Sequence, residues 1–182
     1  MTSPAEDRIA RLEARLEIEE LVSRYALAAD DRDLGALVAC YTRDGVFDSL
    51  GGPVRGHDAL RRTYRQRFAA FGPTLHTPHR VVLDELGPED AAGRVSGHSE
   101  IVTEDGLFVV AHRYTDRYRR EDGAWRFAAR VSRIVYAMPL AELLTVTPGE
   151  PRARWPRLAP ADADLPESLP SWVEFHRAPP EG

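Results

Sequence analysis

Two residue types are missing altogether. The chain has no lysine and no asparagine, and glutamine occurs once, at Gln66. All 24 basic residues are arginines. Without lysine there is no Schiff base, no lysine general base and no phosphate loop of the Gly-Lys-Ser/Thr kind. Acid–base work falls to Asp, Glu, His, Tyr or Cys. Cysteine is scarce too. Cys40 stands alone, so an internal disulfide is excluded, and Leu-Val-Ala-Cys40-Tyr reads as a buried helix face, the setting of a small core residue. No apolar run approaches the ~20 residues of a membrane span. The opening Met1-Thr-Ser-Pro-Ala-Glu-Asp7 is polar and acidic, unlike a signal peptide, so a cytoplasmic location is expected. A net charge of −5, with arginines dispersed among acids, argues against a nucleic-acid partner.

What is present suits one soluble domain. The 182 residues are 43% hydrophobic and 29% charged, enough for a substantial core with some chain left over. Ser3-Pro4-Ala5-Glu6 is a helix start: a cap, a proline suited to the first turn and a capping-box glutamate. Ile9, Leu12, Leu16, Leu21, Val22 and Tyr25 recur at helical spacing to about Asp30. A short helix is predicted from about Asp33 to Asp44-Gly45, then a strand over 46–48 and a turn at Gly51-Gly52-Pro53. A third helix over 57–71 ends at Gly72-Pro73. The period then changes to two. Strands are predicted over 79–86, 91–103, 107–119 and 124–136, joined by short loops typical of antiparallel neighbours. Helices followed by an antiparallel sheet read as α+β. After Met138 the composition shifts: nine of the 14 prolines lie beyond it, together with Trp155 and Trp172. That stretch reads as an extended arm, on its own domain or on a neighbouring subunit, because disordered tails seldom carry tryptophan. The division expected is a domain over 1–138 and an arm over 139–182.

Several residues carry chemistry. Tyr25 and Asp30 close the first helix, although ~140° separates them on an ideal helix. His76 sits at a strand entrance, where a carboxylate on one ring nitrogen would fix its tautomer. His79, three residues on, points to the opposite face. His112 and Tyr114 share a face with Val110, either as pocket contacts or in a subunit contact. Arg130 could meet an oxyanion or form a structural ion pair. His57 reads as a cap, His98 as facing away from any pocket, and His176 as a surface residue of the arm. No tight metal-ligand motif is present, and no metal or cofactor is expected.

Three helices, a strongly bent sheet and Asp122-Gly-Ala-Trp-Arg-Phe127 opening its last strand together resemble the nuclear transport factor 2-like superfamily, in its SnoaL-like and scytalone dehydratase-like branch. The resemblance covers about residues 5–140. Tyr114-Thr-Asp-Arg-Tyr118 through Asp122 to Tyr136-Ala-Met-Pro-Leu-Ala141 is similar to the γ-hexachlorocyclohexane dehydrochlorinase type. Arg24-Tyr25 to Asp30, with Leu75-His76-Thr-Pro-His79, is similar to the bile acid 7α-dehydratase type. The fold implied is a cone-shaped α+β barrel. The resemblance implies that Asp30 pairs with His76, that Tyr25 falls on a catalytic tyrosine, and that Arg130 lines the pocket. Ser99 stands where the bile acid type has a second pocket aspartate, and Tyr25 where the dehydrochlorinase type has a lysine.

The expected activity is that of a cofactor-free lyase, a dehydratase acting on a hydrophobic cyclic substrate (steroid-, terpenoid- or polyketide-like). Asp30, His76 and Tyr25 would do the chemistry, with Arg130, His112, Tyr114 and Ser99 on the substrate. A cyclase or ketosteroid-type isomerase, or a non-catalytic binding protein, would use the same pocket. The resemblance also implies a homo-oligomer, trimers ahead of dimers.

Overall fold

The computed structural model describes residues 3–177. Ala178 to Gly182, the end of the expected arm, lie outside the described residues. α1 (Pro4–Asp30) begins at the capping box expected for it: the Ser3 hydroxyl accepts from the Glu6 N–H, and the Glu6 carboxylate accepts from the Ser3 N–H. Its second half buries Ile18, Leu21, Val22, Tyr25, Ala28 and Ala29, whereas Ile9, Leu12 and Leu16 of the same stripe stay exposed. No described helix is long and apolar enough to cross a membrane.

The second helix is shorter than the sequence pattern predicts. α2 (Leu34–Ala39) is capped by the Asp33 carboxylate on the Ala36 N–H, and β1 (Tyr41–Ser49) starts at once. Tyr41 has a helical spacing from Val38, but its strand conformation is imposed from afar, by pairing with Phe127. The register slips between Tyr41 and Val46. Gly45 sits in that slip, where an added Cβ would come within 2.9 Å of the carbonyl oxygens of Thr42 and Phe127. β2 (Gly52–Arg55), read as part of a turn, folds back on β1 as a short edge strand.

α3 (His57–Ala70) precedes four long strands, β3 (Thr74–Leu86), β4 (Asp90–Thr103), β5 (Gly106–Glu121) and β6 (Ala124–Pro139). The sheet order is β2-β1-β6-β5-β4-β3. Every pair is antiparallel except β1 with β6, so the sheet is mixed rather than wholly antiparallel. α1 lies against β3 and β6, and α3 against β1 and β2. Helices thus cover one face of a six-stranded sheet, an α+β architecture. The main core fills the space between them, with Ile18, Leu37, Tyr41, Leu60, Val95 and Phe127 at its centre.

β1 runs out at the pairing of Asp48 with Val131, which leaves the rest of β6 an open edge. The chain after α4 (Leu140–Leu143) occupies that edge. The Ala137 N–H donates to the Arg152 carbonyl and the Arg154 N–H to the Ala137 carbonyl, each at 2.7 Å. The Leu165 N–H donates to the Ile134 carbonyl at 3.0 Å. Trp155 packs onto a second cluster of Ile101, Phe108, Val110 and Ala137. Covering an open strand edge removes a template for unwanted pairing. α5 (Pro170–Arg177) closes the described chain.

Candidate active site

Thr74 and His76 are two apart on β3, so both side chains leave the same face of the sheet. β3 starts five residues earlier than the alternation alone predicts, and this puts His76 inside the strand, paired with Ser99 of β4. Opposite them the last turn of α1 presents Asp30. Its Oδ1 meets His76 Nδ1 at 2.6 Å and accepts from the Thr74 hydroxyl at 2.9 Å, and its Oδ2 accepts from the His76 main-chain N–H at 2.8 Å. Burial raises the Asp30 pKa, but the bonds from the ring and main chain of His76 outweigh it, and the carboxyl titrates below its ordinary value. Asp30 is therefore ionised and accepts only. In the neutral ring the hydrogen of His76 therefore sits on Nδ1, and the lone pair is on Nε2.

His76 borders a cavity of about 330 Å³. Phe47, Phe68, Phe71, Ile101, Val110, Ile134 and Trp155 form its apolar walls. Its polar groups include Tyr25, Tyr64, Tyr114, His112, Ser99 and Thr74, with Arg32, Arg67 and Asp164 as charged members of the wall. A mostly apolar hollow with a few convergent polar groups is the usual form of a small-molecule site, here at the small end of the range of ~300–1,000 Å³.

Tyr25 belongs to a chain of hydroxyls. Tyr64 meets both the Tyr25 and the Tyr41 hydroxyl at 2.9 Å. Burial pushes Tyr25 and Tyr41 far above the ordinary phenol value and Tyr64 up to about 12, so all three are neutral. The Tyr114 hydroxyl has no protein partner among the described residues. His112 lies against Tyr114, ring centroids 4.5 Å apart. Burial, followed by the charges of His76 and Arg130, pulls His112 down to about 3. It is a neutral imidazole in any ordinary buffer, able to bind but not to act as an acid.

Arg130 is not on the cavity wall. It lies fully buried beneath it, joined to Asp116 by two bonds, Nε to Oδ1 at 3.0 Å and Nη2 to Oδ2 at 2.7 Å. Its guanidinium faces the rings of Phe127, Tyr114 and Tyr25 at 3.9, 4.1 and 4.5 Å. The pocket role expected for it is corrected accordingly: it is absent from the cavity wall, beneath the rings of Tyr25 and Tyr114, and its counter-ion is already in place. Tyr25 and Asp30 do not touch either, as the helix angle predicts, yet Tyr25 and His76 line the same cavity. Ser99, His112 and Tyr114 are brought together there.

His79 and His98 meet on the exposed side of the sheet, with 3.2 Å between ring nitrogens. His57 opens α3 but caps nothing; Gly56 holds the cap position and His57 Nε2 lies 3.0 Å from the Tyr41 carbonyl. Cys40 is buried, and burial raises its thiol to about 11, which is no nucleophile's setting. Among the described residues no group of three or more His, Cys, Asp or Glu is placed to hold a metal ion.

Sequence reasoning missed Tyr64, Thr74, Arg32, Arg67, Trp155 and Asp164, all on the wall. Thr74 was within reach, being two residues before His76 on a strand face. So was Asp116, which alternates with His112 and Tyr114 and pairs directly across from Arg130.

The profile of the SnoaL-like domain matches residues 10–131. Gamma-hexachlorocyclohexane dehydrochlorinase of Sphingobium indicum is 27% identical over 147 residues, covering 76% of this chain and 92% of that protein. Among solved structures, a type-3 hexachlorocyclohexane dehydrochlorinase of Novosphingobium barchaimii superposes with a TM-score of 0.68 at 23% identity, over 78% of this chain and 99% of that one. A Novosphingobium aromaticivorans protein, provisionally assigned as a scytalone dehydratase, gives a TM-score of 0.68 at 19% identity, over 84% and 99%. These two likenesses establish the shared fold.

Proposed function

Since the chain belongs to the SnoaL-like domain family, with dehydrochlorinases among its curated relatives, we propose that it is a cofactor-free lyase that eliminates water from a hydrophobic cyclic substrate. The observation that carries this reading is the Asp30–His76 pair opening into a mostly apolar cavity that also presents the neutral phenol of Tyr25.

His76 Nε2 takes a proton from the carbon next to an activating carbonyl or alkene. The C–H electrons form the new double bond, and the neighbouring C–O bond breaks. Asp30 stabilises the imidazolium as it forms and keeps the ring oriented. Chloride can depart unaided, but hydroxide is a poor leaving group and must be protonated. Tyr25 supplies that proton as the bond breaks, with Tyr64 bonded behind it. The proton on His76 then returns to the phenol through solvent, and the net change is substrate to alkene plus water. Arg130, beneath the rings of Tyr25 and Tyr114, offsets part of the cost of negative charge on either oxygen. Ser99, His112 and Tyr114 hold the substrate.

The free Tyr114 hydroxyl favours a second reading. A donor without a protein partner in the same cavity as the base suits an enolate oxygen, and return of the proton to another carbon would then be isomerisation or cyclisation. Incubation of the protein with a panel of cyclic β-hydroxy ketones, followed by mass spectrometry, tests both. Loss of one water, abolished in His76→Ala while the fold is retained, is the expected result. A product of unchanged mass moves the assignment to isomerase. Tight binding with no turnover leaves only a binding protein.

A further inference from the structure

Arg67 is a cation of the cavity wall with no carboxylate partner among the described residues. Several arginines on the strands find carboxylates: Arg133 meets Asp48 at 3.0 Å, Arg94 meets Asp84 at 2.7 Å, and Arg130 meets Asp116. Arg67, half-buried in the last turn of α3 and on the cavity wall, has no carboxylate within 4.0 Å among the described residues. Its guanidinium stacks over Phe47, 4.9 Å from the ring centroid, and Nη2 donates to the Ser49 hydroxyl at 2.5 Å. Nε and Nη1 have no protein acceptor among the described residues. Ser49 also lines the cavity, and because its oxygen accepts from Arg67, its own hydrogen is free to donate.

The other wall arginine is different. Arg32 spends its terminal N–H groups on the carbonyls of Ala29, Phe71 and Gly72 and on Thr74. It pins the end of α1 to the start of β3 and adds positive charge, but offers no free edge. The cavity lining includes one carboxylate, Asp164, and its Oδ2 accepts the Ile134 N–H on the arm side. A positively charged, half-buried guanidinium held over an aromatic ring, beside a serine with a hydrogen to give, is a receptor for an oxyanion.

We infer that the substrate carries a carboxylate or phosphate that docks on the free edge of Arg67 and on Ser49. The inference rests on the elimination reading only for which end of the molecule then reaches His76. The anionic group anchors; it does not react. Its contribution is binding and orientation, so losing it raises KM far more than it lowers kcat.

Isothermal titration with 2-naphthoate, 2-naphthyl phosphate and uncharged 2-naphthamide tests the subsite without knowledge of the substrate. The wild-type protein is expected to bind at least one of the two anions roughly tenfold or more tighter than the amide, the worth of a charge-assisted hydrogen bond. The stronger anion tells carboxylate from phosphate. Arg67→Gln abolishes the preference, Arg67→Lys keeps part of it, and Ser49→Ala reduces it. No preference in the wild type, including no binding of any probe, overturns the inference, as does a preference untouched by Arg67→Gln. His76→Ala separates the two readings. The anion preference survives there if the subsite is real, whatever happens to turnover. Loss of turnover in that variant, with no anion preference in the wild type, removes the subsite alone.

Discussion

The carboxylate of Asp30 holds His76 at two points, the ring Nδ1 at 2.6 Å and the main-chain N–H at 2.8 Å. One bond sets the tautomer; the other fixes the strand on which the ring is mounted. The two jobs separate under mutation. Asp30→Asn keeps the shape but offers one oxygen where two worked, and its amide donates where Nδ1–H also donates. The imidazole then loses its orienting acceptor or takes the other tautomer, with Nε2 protonated and no longer a base. Turnover is expected to fall by roughly 10³–10⁴, as when the carboxylate orienting a catalytic histidine is lost, with a far-ultraviolet dichroism spectrum like that of the wild type. A loss under tenfold would remove Asp30 from the mechanism.

The same pair makes stability depend on pH. The folded-state pKa of Asp30 lies below its unfolded value. Its contribution is therefore complete above the unfolded value and disappears as pH falls through the lowered folded one. Wild-type Tm should decline through that acid range, and Asp30→Asn should lack this part of the decline. Parallel acid limbs in the two proteins would contradict the assignment.

Tyr25 and Tyr41 both bond Tyr64, but only Tyr25 lines the cavity. Removing each hydroxyl thus distinguishes donor from support. Tyr25→Phe keeps the ring over Arg130 and is expected to cost about a hundredfold or more in kcat, the usual worth of a positioned acid. Tyr41→Phe deletes a buried hydroxyl that does not reach the cavity wall and should cost stability more than rate. Equal kinetic losses would show that the hydroxyls act only as packing.

What could be read from the sequence follows the range of the forces involved. The capping box at Ser3 and Glu6 and the turns at Asp105-Gly106 and Asp122-Gly123 are local, and they stand where local rules put them. Asp122 and Gly123 both have positive φ, 53° and 78°, the geometry such a turn demands. The parallel pairing of β1 with β6 is non-local: Tyr41 becomes a strand because Phe127 meets it, and nothing in Val38-Ala-Cys-Tyr41 announces that. The cavity shows the same division. Asp30 and His76 came from a resemblance, His112 and Tyr114 from strand alternation. Tyr64 reads as an ordinary member of an apolar helix face. Trp155 and Asp164 reach the wall only because the arm covers the edge that β1 leaves open. The resemblance puts Arg130 on the pocket wall, but its depth beneath that wall depends on Asp116, a partner on the neighbouring strand.

That depth gives Arg130 a stability signature of its own. Arg130 and Asp116 are both fully buried, and Tyr118 donates a further bond to Asp116 at 2.9 Å. Arg130→Met leaves the Asp116 charge in the core with Tyr118 alone to hold it, and is expected to cost about 3–5 kcal/mol in urea denaturation. Adding Asp116→Asn removes the stranded charge while keeping an acceptor for Tyr118. The double variant should therefore be more stable than Arg130→Met alone, a sign that distance-based intuition would not supply. If the second substitution destabilises further, the pair is not the source of the cost, and the stacking of Arg130 on Tyr25, Tyr114 and Phe127 must be. The double variant also separates folding from rate. With the ion pair gone and the fold retained, any remaining loss of turnover measures what the buried cation contributes to the phenols above it.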